Sequence, residues 1–186
     1  FIYLLTGDSN SAVTWQVFYD PKNTVRRPDL ARTFTTTLNE ALPFLQQRQS
    51  QNCGVFVALN TFYGDKRSDD LVTSYRGLFA DYDGTFKPTW GLSPHFEQSR
   101  DETHGHAFWL VSDITTGDQF RVLQKRVAIY HGTDLSVCDP ARVVRVSGFN
   151  HYKELDNITQ YAITEDNTDD DHKYTTQDII SAFPLT

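Results

Sequence analysis

The chain has 186 residues, of which 39% are hydrophobic and 22% charged. That is the composition of one globular domain, or one domain with a tail, and it excludes collagen, coiled coil and wholesale disorder. The net charge of −7 argues against a nucleic-acid partner until its distribution is read. Residues 154–186 hold eight acids and one base, whereas residues 121–153 hold six bases (Arg121, Lys125, Arg126, Arg142, Arg145, Lys153) and two acids. A basic patch beside an acidic tail is a patterned surface.

No apolar run is long enough for a transmembrane helix, and FIYLLTGDSN lacks the basic region and cleavage site of a signal peptide. Cys53 and Cys138 are too few for a disulfide scaffold, so the expected location is the reducing cytoplasm. The lack of any Met, even at position 1, points to a piece of a larger parent.

Residues 13–19 alternate Val13, Trp15, Val17 and Tyr19 on one face, which predicts a half-buried strand. Leu30, Phe34, Leu38, Leu42 and Leu45 predict a helix over 29–48, kinked or restarted at Pro43. GVFVALN from Gly54 reads as a central strand, TFYGDKRSDD as a loop, and LVTSY as a short helical turn. GLFADYD over 77–83 is a second buried strand, HFEQS an edge strand, and HGHAFWLV over 104–111 a third clear strand. Phe120, Leu123, Val127 and Tyr130 predict a helix over 118–130 that stops at Gly132. ARVVRV over 141–146 is a strand carrying Arg142 and Arg145 on one face, followed by a turn, SGFNHYK. TEDNTDDDHK over 164–173 reads as a polar linker, and YTTQDIISAF as a last helix capped by Thr175 or Thr176. The order is α+β, with a mixed or antiparallel sheet and helices on one face.

Three constellations carry chemistry. Asp81 and Asp83 alternate at the end of a strand, so both carboxylates project together. Like charges so placed call for a cation, and hard divalent ions take carboxylate oxygens; a strand-end turn at Asp83-Gly84 is the alternative. His104 and His106 share a face of the next strong strand, suited to a phosphate, a metal or neither. Asp134 and Asp139 precede Arg142, Arg145 and Lys153, and arginine suits bidentate phosphate binding. Surface salt bridges among these groups are the plain alternative.

In this order the segments RGLFADYDG, FEQSRDETHGHAFWLV and YHGTDLSVCDPARVVRVSGFNHYK, with GVFVALN before them, resemble the archaeo-eukaryotic primase superfamily, and more narrowly the RepB-type plasmid and phage primases. The resemblance spans about residues 54–153. It implies an RNA-recognition-like palm with an antiparallel sheet, helices behind it and an N-terminal α/β part. It implies a catalytic domain over 1–160 and an acidic tail over 161–186 with a short helix. Asp81 and Asp83 match the metal-binding pair, Asp134 the third carboxylate with Asp139 as competitor, and His106 the nucleotide-phosphate contact. Arg142, Arg145 and Lys153 match the basic cluster, and Ser99 stands for the family's serine. The family usually has Pro where this chain has Ser147.

The implied reaction is two-metal nucleotidyl transfer with Mg²⁺ or Mn²⁺, making primers on a single-stranded DNA template from nucleoside triphosphates. The implied partners include a helicase or further domains of a replication protein, and no membrane. The location is the cytoplasm of a prokaryotic or phage-infected cell. Arg121, Lys125 and Arg126 would hold template phosphates. Two rivals remain. A rolling-circle endonuclease would use His104, His106 and a tyrosine such as Tyr152 or Tyr161. A non-catalytic binding module would stack bases on Phe108 and Trp109.

Overall fold

A short helix, α1 (Ile2–Thr6), leads into β1 (Val13–Tyr19), whose Val13, Trp15 and Val17 are buried. The computed structural model describes residues 1–22, 24–84, 87–169 and 172–185. Next comes β2 (Arg32–Thr36), antiparallel to β1, and then helix α2 (Leu38–Gln49). The helix expected over 29–48 therefore begins nine residues late. Leu30 belongs to a 3₁₀ turn at Pro28–Leu30, and Phe34 to a Thr-rich strand that pairs with β1. Thr37 starts the helix by a reciprocal capping box with Glu40. Pro43 does not break it. The bond that Pro43 cannot make is to the carbonyl of Asn39, which lies exposed in the first turn.

The fully buried run Cys53–Ala58 is β3, an inner strand as expected, in an antiparallel sheet ordered β2-β1-β3-β9. Its last member, β9 (Val143–Arg145), comes from late in the chain and pairs Arg145 with Phe56. The loop after β3 contains a small hairpin, β4 (Thr61–Phe62) with β5 (Val72–Ser74), so LVTSY is a strand rather than a helical turn.

The second sheet is antiparallel and ordered β12-β7-β8-β6. It comprises β6 (Gly77–Asp83), β7 (Phe96–Asp101), β8 (His104–Leu110) and β12 (Ala162–Asp166). The register sets Asp81 opposite His106 and Asp83 opposite His104 on one side, and Gln98 opposite His106 on the other. HFEQS is thus not an edge. It is covered by β12, which the acidic segment supplies where a linker was expected. Of that segment, residues 170 and 171 lie outside the described residues.

Helix α3 (Gly117–His131) is capped by Thr116 and stops at Gly132, whose φ of 67° is the left-handed conformation that glycine tolerates. Helix α4 (Thr176–Ala182), capped by Thr175, packs on α3 and buries Ile179 and Phe183. Trp109, on the side of β8 opposite His106, stacks on His131 and meets Phe183 edge-on, so α3 and α4 cover the back of the second sheet. A last hairpin joins β10 (Asn150–His151) to β11 (Thr159–Gln160). The α+β architecture with an antiparallel palm and helices behind it is as the sequence implied. Among the described residues no helix is long and apolar enough to cross a membrane.

Candidate active site

The cleft lies at the seam of the two sheets, lined by Asp81 and Asp83 from β6, His104 and His106 from β8, and Arg142 and Arg145 at β9. It opens into a basic extension that holds Lys22, Arg100 and Lys153. The palm supplies the carboxylates and Arg100, and the N-terminal sheet adds Arg142 and Arg145 from beside and within β9.

Asp81 has a side chain 27% exposed, and burial pushes its carboxyl up. His106 pulls it back down, while Asp83 and Asp134 push it further up. Its carboxylate stands 3.6 Å from His106 Nε2. His104 lies between two acids, its Nε2 2.9 Å from an Asp83 oxygen and its Nδ1 2.8 Å from Asp101. Burial opposes ionisation of Asp101, yet the hydrogen bonds from His104 and Thr103 hold its carboxyl well below the usual range.

Gly105, between the two histidines, is required by packing. A Cβ there would overlap the Tyr82 hydroxyl and crowd the Gln98 carbonyl. The same face holds Ser99, which pairs with Gly105. Ser99 therefore faces away from the cleft, and the structure does not bring it to the other site residues.

β6 is the outer strand of its sheet, and its free edge is answered by side chain and loop. The fully buried Gln124 amide of α3 pairs with the Phe79 backbone, accepting from its N–H at 3.1 Å and donating to its carbonyl at 2.5 Å. Two residues on, the Asp134 N–H donates to the Asp81 carbonyl at 3.3 Å. This bond sets the Asp134 backbone beside β6, while its exposed side chain is not among those that line the cleft. Its own side chain accepts from the Ser136 N–H at 2.8 Å and hydroxyl at 2.9 Å. Asp139 instead pairs with Arg142 at 2.6 Å. Among the described residues no group of three His, Cys, Asp or Glu side chains is placed to hold a metal ion.

Arg142 also donates to the Ser136 carbonyl at 3.0 Å, and its buried Nε finds no partner among the described residues. It lies just before β9 begins, which lets it share the cleft with Arg145 despite the odd spacing. Arg145 is committed to the fold. Both of its Nη atoms donate to Asp20, at 3.0 and 2.9 Å, and its plane lies over Phe56. Asp20, which sequence reasoning missed, is 4% exposed and also accepts from the Tyr152 N–H. An acid just past a strand end carries no signal that separates it from a solvated turn.

Lys153 is pushed down by burial and by neighbouring Lys22, two ammonium groups sharing one wall. Arg100 and His151 were also missed. His151 accepts from Arg100 at 3.1 Å, and burial lowers its pKa to about 4.

The three bases expected to hold template do not line the cleft. Arg121 pairs with Asp69 at 2.5 Å and Asp118 at 3.0 Å, Arg126 donates to the Phe183 carbonyl at 2.9 Å, and Lys125 is exposed on α3. Phe108 and Trp109 are fully buried, so neither is a platform for bases. Tyr161 does face the cleft, its ring stacked on His106 with centroids 5.1 Å apart, and burial pushes its phenol up to about 12.

No protein-family model matches the chain, and no curated protein matches it. Solved structures do. The archaeo-eukaryotic primase domain of the cyanophage S-2L primase-polymerase superposes with a TM-score of 0.68 at 21% identity, covering 98% of this chain and 94% of that one. The catalytic domain of primase RepB′, solved with initiator DNA, gives 0.60 at 13% identity, over 89% of this chain and 81% of that one. A second RepB′ structure gives 0.62 at 14%, over 89% of this chain and 54% of that one. The fold is that of primase-polymerase catalytic domains, as the resemblance in sequence implied.

Proposed function

We propose that the chain is a primase-polymerase catalytic domain that extends or initiates strands on single-stranded DNA by two-metal nucleotidyl transfer. The observation that carries this reading is the pair Asp81 and Asp83 on one strand face, abutted by His106, with the Asp134 backbone bonded to the β6 edge. The donor chemistry fits hard divalent cations. Asp81 is a half-buried carboxylate driven towards its neutral form by burial and by two neighbouring acids, which a cation would relieve.

Asp81, Asp83 and Asp134 would hold Mg²⁺ or Mn²⁺. Such ions, when bound, activate a hydroxyl nucleophile and stabilise a pyrophosphate leaving group. The protein's own contribution is positioning and charge. Burial lowers the pKa of His106 and so favours the neutral ring, whose Nε2 faces Asp81 and the cleft, within reach of a phosphate oxygen. The Arg142 guanidinium in the cleft and the ammonium groups of Lys22 and Lys153 in its extension make a positively charged wall. A nucleoside triphosphate fits that wall, and template phosphates its open extension.

The buried, high-pKa phenol of Tyr161 weighs against a tyrosine nucleophile and thus against a rolling-circle nuclease. A cytoplasmic role in plasmid or phage-type replication, beside a helicase or further domains, follows from the same reading.

The test is primer synthesis on unprimed single-stranded DNA with Mg²⁺ or Mn²⁺ and ribo- or deoxynucleotides in separate reactions. Template-dependent products that vanish with Asp81→Asn/Asp83→Asn support the reading. Strand cleavage with a covalent protein adduct would replace it with the nuclease.

A further inference from the structure

Gln98 of β7 is fully buried at the floor of the seam, and its amide is completely spent. Its Nε2 lies 2.8 Å from the carbonyl of Arg145 and 3.0 Å from Nδ1 of His106. Its Oε1 accepts from the Ser147 hydroxyl at 2.6 Å. The carbonyl of Arg145 can only accept, so the NH₂ end of the amide must face it. The second hydrogen of that NH₂ then points at His106 Nδ1, which must be the bare, accepting nitrogen. The ring proton is left on Nε2, which faces Asp81 and the cleft. The ring plane is held by Tyr161, stacked at an interplanar angle of 14°.

We propose that Gln98 is a positioning residue. It fixes His106 in the Nε2–H tautomer and so aims a neutral N–H donor, rather than a lone pair, at a phosphate-bearing substrate. Ser147 fixes Gln98 in turn, by holding its carbonyl end away from His106. Because β7 belongs to one sheet and Arg145 to the other, the tautomer is set only when the two sheets are docked. The catalytic consequence rests on the primase reading; the tautomer itself does not.

The proposal is tested on the whole chain labelled with ¹⁵N at histidine, by long-range ¹H–¹⁵N correlation at neutral pH, with His106 assigned from the spectrum of His106→Gln. The expected wild-type signal is a protonated Nε2 and a bare Nδ1. Gln98→Glu, of the same shape, presents only acceptors to Nδ1 when ionised, and should move the proton to Nδ1 or place one on both nitrogens. Gln98→Leu should leave a mixture. Ser147→Ala should shift the population towards that mixture without touching the ring.

In synthesis assays, Gln98→Leu should raise the nucleotide KM by roughly 10- to 100-fold, the usual loss when an orienting partner is removed, with DNA affinity unchanged. A bare Nε2 or an imidazolium in the wild type overturns the proposal without any variant having to fold. So does a tautomer unmoved by Gln98→Glu in a chain whose other histidine signals are intact. If the tautomer behaves as expected while the wild type makes no product, the positioning stands and the primase reading falls.

Discussion

Asp81 is the residue where function and stability pull apart. Its carboxyl is raised by burial and by two other acids, so the fold gains nothing from its charge. Asp81→Asn is therefore expected to abolish synthesis while leaving the melting temperature unchanged or higher. Thermal melts beside primer-extension gels check this, and a clear drop in melting temperature would show a structural role. Gly105 is the opposite case. Tyr82 lies over it, so Gly105→Ala should destabilise by about 1–3 kcal/mol through overpacking, measured by urea unfolding. A neutral result would mean that Tyr82 moves freely.

At this scale the sequence was partly legible. The strand period places Asp81 with Asp83 and His104 with His106 without any structure, because alternation is local. Asp20, Gln98 and Arg100 were not legible. Their roles depend on which strand of a different sheet lies opposite, and no local period encodes that. The same blindness gave Arg145 to the substrate, when Asp20 already holds it on both Nη atoms.

Among the elements, β6 shows how an outer strand is finished without a neighbour. Gln124 answers the Phe79 backbone, and the loop after α3 answers Asp81. Gln124→Leu would leave a buried N–H and carbonyl unpaired, costing about 2–5 kcal/mol. It should also speed amide exchange along the edge, at Phe79 and Asp134, more than in β8; equal change in both strands would refute this. Element types were mostly readable from periodicity. The failures came where a strand or helix signal was overridden by pairing. RTFTT took part of an apolar helix stripe because β1 needed a partner, and the acidic 162–166 became a strand because β7 had a free edge. Arg121 and Arg126 were read as a template surface from charge alone, whereas they serve to tie α3 to Asp69 and to the end of α4.

For the molecule as a whole, four histidines, His95, His106, His131 and His151, have pKa values lowered by burial. An unfolded chain binds protons at these positions near pH 6.5, before the folded one does. Stability is thus fully present above that pH and lost as pH falls, with His151 contributing down to about 4. Arg100, Arg145 and Lys153 oppose its protonation and Asp20 favours it. Melting temperature should fall steadily between pH 7 and 5, and His151→Gln should flatten the slope. A flat wild-type profile over that range would contradict the burial of these rings.

The position of β9 bears on how the protein is made. β1, β2 and β3 are complete by residue 58, yet the strand that closes their sheet is not made until residues 143–145. Until then β3, a run of apolar side chains, has an open edge. An emerging or truncated chain ending before residue 143 therefore offers a sticky template to other chains, and a pairing this distant in sequence closes slowly. The arginines that face the carboxylates arrive with the strand that closes that edge, so the cleft and this edge are completed together, while β7 waits for β12 to cover its own.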